Sequence, residues 1–165
     1  MLLINNYKIW YITLEEINNI YYLGEIMSCL GCKILNEDGV KVFEVYSDEN
    51  FSVVLDIAPL NEGHLLIMPK RHVKEIYELK EDEVLNLFTL INNMSTILKE
   101  TFNPDGISIL QNGGNLNDLG HLHFHIIPRY ENDGLDNCEE KKFLVNISLE
   151  KTKKKLKEKI NFIFE

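Results

Sequence analysis

The chain has 165 residues, a formal net charge of −9 and a sequence isoelectric point near 5.1, and it is 45% hydrophobic and 26% charged. This length fits one domain with enough material for a hydrophobic core, and the composition is ordinary for a globular protein. The acidic balance argues against a general nucleic-acid surface or anionic-membrane surface, although a local site could still bind a small phosphorylated ligand.

The first 26 residues read as an extension appended to a domain that begins at Met27. Their apolar stretches are broken by asparagine, lysine and glutamate, so they lack the run of about 18 apolar residues that a membrane span needs. They also lack the basic start, apolar middle and small-residue cleavage site of a signal peptide. We therefore expect residues 1–26 to be an extension without an assignable role and residues 27–165 to form the domain.

The domain is expected to combine five antiparallel strands with two or three helices on one face, which is an α+β fold. One helix is long, with apolar side chains at helical spacing. Pro69 stops the strand that precedes this helix. The predicted elements are, in chain order, a short helical turn at 29–35, strands at 40–46, 51–57 and 64–68, the long helix at 81–102, strands at 106–111 and 120–129, and a basic helix at 148–164.

The strand predicted at 120–129 carries the most informative pattern. Histidines and apolar residues alternate through it in the order His121, Leu122, His123, Phe124, His125, Ile126. Because successive side chains of a strand point to opposite faces, the three imidazoles should share one face while the apolar residues enter the core. The whole chain has only five histidines. Such a row therefore indicates a site for metal or phosphate rather than a polar outer face.

A second candidate site is the pair Cys29 and Cys32, whose Cys-x-x-Cys spacing supplies half of a tetrahedral zinc site. The same spacing also serves redox chemistry, and two thiols can simply be buried. His72, just past a strand end, could complete a metal site, whereas His64 fits either a core histidine or a supporting partner. Three cysteines make no disulfide framework, so we expect a reducing, cytoplasmic setting.

Taken together and in order, these motifs resemble those of histidine triad (HIT) proteins of the bacterial type. The similarity covers nearly two thirds of the chain and leaves out the first 26 residues. The family signature is His-φ-His-φ-His-φ-φ, where φ is apolar, and it matches the histidine strand. The other matching segments are Cys29–Cys32, Leu55–Pro59, Gly63–His72 and Gln111–Gly114.

The resemblance implies a nucleotide-binding enzyme that hydrolyses or transfers nucleoside monophosphates. His123 would attack the α-phosphorus and form a covalent nucleotidyl-histidine, and His125 would hydrogen-bond the phosphate oxygens. A (di)nucleoside polyphosphate or another adenylylated compound is the implied substrate class. The remaining nucleotide contacts would come from Asp56 to the ribose hydroxyls, Ile57 in the base pocket, and the amides of Asn112 and Asn117.

Where HIT proteins carry zinc, their ligands match Cys29, Cys32, His72 and His121. Four protein ligands make a closed site, so this zinc would be structural and would not activate a water. The resemblance also implies a homodimer that pairs through the long helix and an adjoining strand. Apolar residues of this helix span more than one narrow stripe, which favours a partner over a helix buried twice within its own domain; they are Val84, Leu87, Phe88, Ile91, Met94 and Ile97.

Asp118 departs from the family pattern, which has serine or threonine at this position. An anion close to a phosphate would be repelled by about 1 kcal/mol in water and by more in a drier site. Asp118 is therefore turned away from the phosphate, acts as an acid on the leaving group, or alters the leaving-group chemistry. Of the activities known in the family, phosphoramidase-like activity is the one that this departure affects most.

Two other functions remain open on the sequence. One is a nucleotide-binding module with little turnover, in which His123 serves binding. The other is a zinc hydrolase that uses the three histidines of the row as metal ligands. The first would form no covalent adduct with substrate, and the second would not need Cys29 for its metal.

Overall fold

Five antiparallel strands form a single sheet in the order β1-β2-β3-β5-β4 in the computed structural model. The structure describes residues 28–134 and 147–164, together with Gly24. The expected extension thus lies outside the described residues, apart from Gly24. The elements are α1 (Leu30–Leu35), β1 (Glu44–Ser47), β2 (Phe51–Leu55), β3 (Leu65–Pro69), α2 (Glu81–Phe102), β4 (Gly106–Leu110), β5 (Phe124–Arg129) and α3 (Leu149–Phe164).

The two long helices pack on one face of this sheet, and the short helix α1 packs on the other. Alternate residues of β2 (Phe51, Val53, Leu55) face the main core, where the apolar sides of α2 and α3 cover them. Val54 points the opposite way and packs in a smaller cluster beside Ile34 and Leu35 of α1. The predicted α+β fold is confirmed. Helix α1 lies on the sheet face that carries His125. None of the helices described here is long and apolar enough to span a membrane.

The histidine strand is shorter than predicted: it was expected at 120–129, and β5 begins only at Phe124. His121, Leu122 and His123 precede it in the chain, and β3 ends at Pro69, which has no backbone N–H to extend the ladder. The Leu122 N–H instead donates to the Val73 carbonyl at 2.7 Å. The alternation nevertheless holds, since Leu122, Phe124 and Ile126 all lie in the main core.

An ion pair fixes the start of α2 beside the segment that carries His72. Arg71 donates from Nε and Nη2 to the two carboxylate oxygens of Glu83 at 3.1 and 2.7 Å. Glu83 also accepts the backbone N–H of Lys80. Hydrogen bonding from Arg71 is the largest cause that lowers the pKa of Glu83, from 4.5 to about 2. A lowered pKa makes this carboxylate stabilising above pH 4.5, and that stabilisation is lost as the pH falls towards the folded value.

We expect Glu83→Gln to lower the free energy of unfolding by about 1–2 kcal/mol near pH 7, after allowance for solvent screening at the partly exposed Arg71. The loss should shrink at about pH 3, where the wild-type carboxylate is itself losing its advantage. Urea unfolding at both pH values measures this difference. Glu81→Gln, an exposed neighbour in the same helical turn, is the matched control. A deficit that is the same at both pH values would contradict the electrostatic explanation.

Candidate active site and metal centre

Two cysteines and two histidines from three separate segments meet in one cluster. Cys29 is the N-cap of α1 and Cys32 lies in its first turn, while His72 follows β3 and His121 precedes β5. One ligand atom from each of the four lies within 4.8 Å of all the others. Both thiols are free and buried. The structure thus brings together the four residues that the resemblance proposed as metal ligands.

The spacing of these atoms suits a tetrahedral zinc ion. Cys32 Sγ lies 3.1 Å from His72 Nδ1 and 3.5 Å from His121 Nδ1, and Cys29 Sγ lies 3.7 Å from His121 Nδ1. Tetrahedral bonds of about 2.3 Å to sulfur and about 2.0 Å to nitrogen place ligand atoms roughly 3.5 Å apart. Two thiols and two imidazoles are the donor set that zinc prefers. The residues present therefore fit such an ion.

The tautomer of His121 also suits a metal ligand. Its Nε2 lies 2.8 Å from the Pro69 carbonyl oxygen, which can only accept a hydrogen bond. We therefore assign the ring proton to Nε2, which leaves the lone pair of Nδ1 facing the two thiols. Burial is the largest cause that lowers the pKa of His121 to about 4. The imidazole is thus neutral, as a ligand must be.

Cys32 has a raised pKa of about 12, first because of burial and then because of the hydrogen bond and charge of Cys29. Without a cation in the cluster this thiol keeps its proton. Binding of a metal to the thiolate must displace that proton, so metal affinity should fall as the pH falls.

Gly31 permits the close approach of α1 to the histidine segment, and the sequence pattern did not single it out. A Cβ at this position would lie 2.2 Å from the Cβ of His121. The Gly31 N–H also donates to the Leu119 carbonyl at 3.1 Å. Any larger residue would push His121 away from the cysteines.

His123 has the geometry of a nucleophile. Its side chain is 1% exposed, and its Nδ1 lies 2.8 Å from the His121 carbonyl oxygen, which can only accept. The ring proton is therefore assigned to Nδ1, and the lone pair is on Nε2. Within the described part of the chain, Nε2 has no hydrogen-bonding partner. A buried imidazole nitrogen with a free lone pair is available to attack an electrophile.

His64 fixes the tautomer of His125 through a chain of hydrogen bonds. The Leu60 N–H donates to His64 Nδ1 at 3.2 Å, so the proton of His64 is assigned to Nε2. That Nε2 lies 2.9 Å from His125 Nδ1, which must then accept. His125 consequently carries its proton on Nε2, and its ring stands 4.9 Å from the ring of His123, centroid to centroid. Of the two interpretations of His64, a partner that supports His125 fits this contact better than a core histidine.

A pocket of about 280 Å³ opens beside His123 and His125. Asp56 and Ile57 line it, and Ile57 is 74% exposed although it is a large apolar residue. Apolar side chains of α1, of the sheet and of the segments before β1 and β5 form most of the wall: Leu30, Ile34, Val40, Val42, Val54, Leu55, Leu66 and Leu119. An apolar slot that is also lined by two carboxylates, Asp56 and Asp118, and by two imidazoles suits a flat apolar ring joined to a polar group.

The other predicted contacts are divided between two neighbouring places. Asn112 lines an adjoining pocket together with Asp56, His64 and His125. Asn117 instead donates its side-chain amide to the Lys74 carbonyl at 3.0 Å, and it is not among the residues that line these two pockets.

Asp118 faces the imidazole of His123. Its Oδ1 lies 3.5 Å from His123 Nε2, while 79% of its side chain is exposed. Of the orientations left open by the sequence, the structure therefore shows the carboxylate turned towards His123. The three histidines of the row do not converge on one ion: the groups of possible ligands found in the described residues place His121 with the cysteines and His125 with Asp56 and His64.

Comparison with known sequences and structures agrees with this geometry. Residues 39–132 match the HIT domain. An uncharacterized HIT-like protein of Methanocaldococcus jannaschii is 38% identical over 133 residues, which are 78% of this chain and 98% of that protein. An adenosine 5′-monophosphoramidase of Schizosaccharomyces pombe is 35% identical over 107 residues, 62% of this chain and 75% of the enzyme.

Solved structures share the fold over most of the chain. A zinc-bound histidine triad family protein from Mycobacterium smegmatis superposes with a TM-score of 0.69 at 26% identity, covering 84% of this chain and 97% of that one. A hypothetical histidine triad nucleotide-binding protein from Sulfolobus tokodaii gives 0.69 at 31% identity, covering 82% and 93%. With the matching domain, the sequence relatives and the five-stranded sheet in agreement, this chain is a member of the histidine triad (HIT) family.

Proposed function

We propose that this protein is a nucleotide hydrolase or nucleotidyltransferase that works through a covalent nucleotidyl-histidine at His123. The observation that carries the proposal is the buried His123 Nε2, whose lone pair faces the pocket because Nδ1 is held by the His121 carbonyl. The names of two relatives support it: one is an adenosine 5′-monophosphoramidase and another a nucleotide-binding protein. A (di)nucleoside polyphosphate or another adenylylated compound is the proposed substrate class.

In the first step the lone pair of His123 Nε2 attacks the α-phosphorus. The bond to the leaving group breaks, and its electron pair moves to the leaving group. Nδ1 keeps its proton on the His121 carbonyl, so the product is a nucleotidyl-imidazolium. Water, or an acceptor in a transferase, then attacks the same phosphorus. The electron pair of the P–N bond returns to Nε2, and the proton lost by the attacking group passes to solvent.

The other residues bind and orient the nucleotide. We propose that Asp56 accepts hydrogen bonds from the ribose hydroxyls and that Ile57 packs on the base, since both line the pocket beside His123. His125 would donate its Nε2 proton to a phosphate oxygen, in the tautomer that His64 imposes. Asn112 would contact the phosphate from the adjoining pocket. Asn117 would act indirectly, by holding its loop to the Lys74 carbonyl.

We further propose that Cys29, Cys32, His72 and His121 bind a structural zinc ion. Bound zinc would supply a cross-link here and no reacting group, because four protein ligands leave no open position. His121 is two residues from His123, and its carbonyl orients the nucleophile. The two free thiols suit a reducing compartment, for which we propose the cytoplasm. We also propose that the domain begins at residue 27 and that residues 1–26 are an extension.

Steady-state assays with a panel of adenylylated compounds test the proposed function. The panel contains diadenosine polyphosphates, an adenosine phosphoramidate and nucleoside triphosphates. We expect release of the nucleoside monophosphate from at least one of them by the wild-type protein. Binding of these compounds without turnover would instead support the alternative of a binding module.

A homodimer is the proposed assembly, because apolar residues remain exposed along α2 and the edge strand β4. Leu85 and Phe88 are exposed on α2, and Ile109 and Leu110 on β4. The other side of α2 is buried by its own domain, where Leu87, Ile91, Met94 and Ile97 lie in the main core. Exposed apolar side chains on a helix and on the edge strand of a sheet are typical of an interface.

We expect sedimentation of the wild-type protein at micromolar concentration to give twice the monomer mass of 19.3 kDa. Phe88→Glu places a charge in the patch and should produce monomers. Ser47→Glu, at the exposed end of β1 on the opposite edge of the sheet, is the matched control and should stay dimeric. A wild-type monomer would overturn the proposed assembly.

A further inference from the structure

We propose that Asp118 selects substrates by the charge of the leaving group, favouring a leaving group that carries an ammonium group and disfavouring an anionic one. The inference rests on the proposed function and narrows its substrate class. Asp118 borders three pockets: the one beside His123 and Ile57, called the nucleoside pocket below, the adjoining pocket of Asn112, and an outer pocket next to Cys29 and Lys74. Its largely exposed carboxylate thus lies where the pocket opens to solvent, 3.5 Å from the nucleophilic nitrogen.

Among the described residues around this opening, three carboxylates, with Glu150 included, stand against two ammonium groups. Asp56 and Asp118 line the nucleoside pocket, and Lys41 is the single lysine or arginine among its described lining residues. The Lys41 ammonium is already paired with Glu150 of α3. Lys74 borders the outer pocket, and its one charge does not balance two carboxylates. A long polyanion leaving past Asp118 would therefore meet repulsion that the cations of the described residues do not offset.

The α-phosphate itself also feels this repulsion, but that cost is the same for every substrate with the same nucleotide. Only the charge of the leaving group differs between substrates. Two unit charges about 4 Å apart change a rate or equilibrium constant by roughly a factor of five in bulk water, and by more where water is excluded. The ratio of kcat/KM between two leaving groups of different charge therefore isolates the action of Asp118.

The test uses three compounds in which AMP is joined by the same P–N bond to butylamine, to 1,4-diaminobutane or to 4-aminobutanoate. Their leaving groups are alike in length and carry a neutral, a positive and a negative end. In each reaction the P–N electron pair goes to the amine nitrogen, which takes a proton from solvent. We expect the wild-type kcat/KM to be highest for the positive and lowest for the negative end, with a spread of at least about tenfold.

Asp118→Asn keeps the shape of the side chain and removes its charge, so it should reduce this spread to within about threefold. Asp82→Asn, an exposed substitution on α2, removes the same charge at a distance and should leave the spread unchanged. A flat series in the wild type, or equal changes for all three compounds in Asp118→Asn, would overturn the inference and leave the proposed function standing. Lack of turnover and of any nucleotidyl adduct in the wild type would overturn both.

Discussion

His123→Ala should lower kcat/KM for every productive substrate by about 10³-fold or more, which is about 4 kcal/mol of transition-state stabilisation. The reason is that no other group in the described structure presents an imidazole lone pair to the pocket in the same way: His121 Nδ1 faces the thiols, and His125 Nδ1 accepts from His64. Without Nε2 of His123 the covalent route has no substitute. Turnover measured by release of nucleoside monophosphate gives the result.

Because His123 is buried, the alanine variant needs a check that it folds and still binds. Circular dichroism and zinc content should match the wild type, since His123 is not among the four clustered ligand residues. Calorimetric titration should retain much of the nucleotide affinity, because Asp56, Ile57 and the apolar wall are untouched. A rate within about tenfold of wild type, equivalent to ~1.4 kcal/mol of barrier, would mean that His123 is not the nucleophile.

Cys32→Ser should lose its stoichiometric metal, melt at a lower temperature and lose activity, although no group that touches substrate has changed. A structural metal ion contributes its binding free energy to folding, and a serine hydroxyl is a poor replacement for a thiolate ligand. Here the ion would join α1, the segment after β3 and the segment before β5. The activity falls because His121, whose carbonyl orients His123, is no longer held.

Elemental analysis, thermal unfolding and kcat/KM are measured together on Cys32→Ser. Added zinc should not restore the activity or the melting temperature of this variant. Metal affinity of the wild type should also weaken as the pH falls, because a proton competes for the Cys32 thiolate. Ser28→Ala, beside the cluster but not a member of it, is a control that should keep its metal. A wild-type protein without stoichiometric metal, or a Cys32→Ser variant that keeps both metal and melting temperature, would contradict a structural zinc site.

The histidine row could be predicted from sequence because its signal is local. A period of two separates His121, His123 and His125 from the residues between them, and those intervening residues lie in the main core as expected. The long helix α2 was equally accessible, since its 22 residues carry a strong apolar period and its bounds agree with the structure. Both patterns arise from backbone geometry that does not depend on distant partners.

Features that depend on contacts between distant parts of the chain could not be predicted from the sequence pattern. The close approach of Gly31 to His121 joins positions far apart in the chain, and nothing near Gly31 signals it. The hydrogen bond from His64 to His125 likewise links β5 with the residue just before β3. The orientation of Asp118 was left open because a loop side chain takes its direction from the folded surroundings.

The covalent intermediate can be observed directly by mixing the wild-type protein with an adenylylated substrate, quenching the mixture within milliseconds to seconds, and analysing the intact and digested protein by mass spectrometry. We predict a mass increase of one adenylyl group, located on the peptide that contains His123 and absent from His123→Ala. Because a P–N bond to imidazole is labile in acid, the quench and digestion are kept alkaline. Rapid turnover with no adduct under any quench condition, or an adduct on a residue other than His123, would contradict the proposed mechanism.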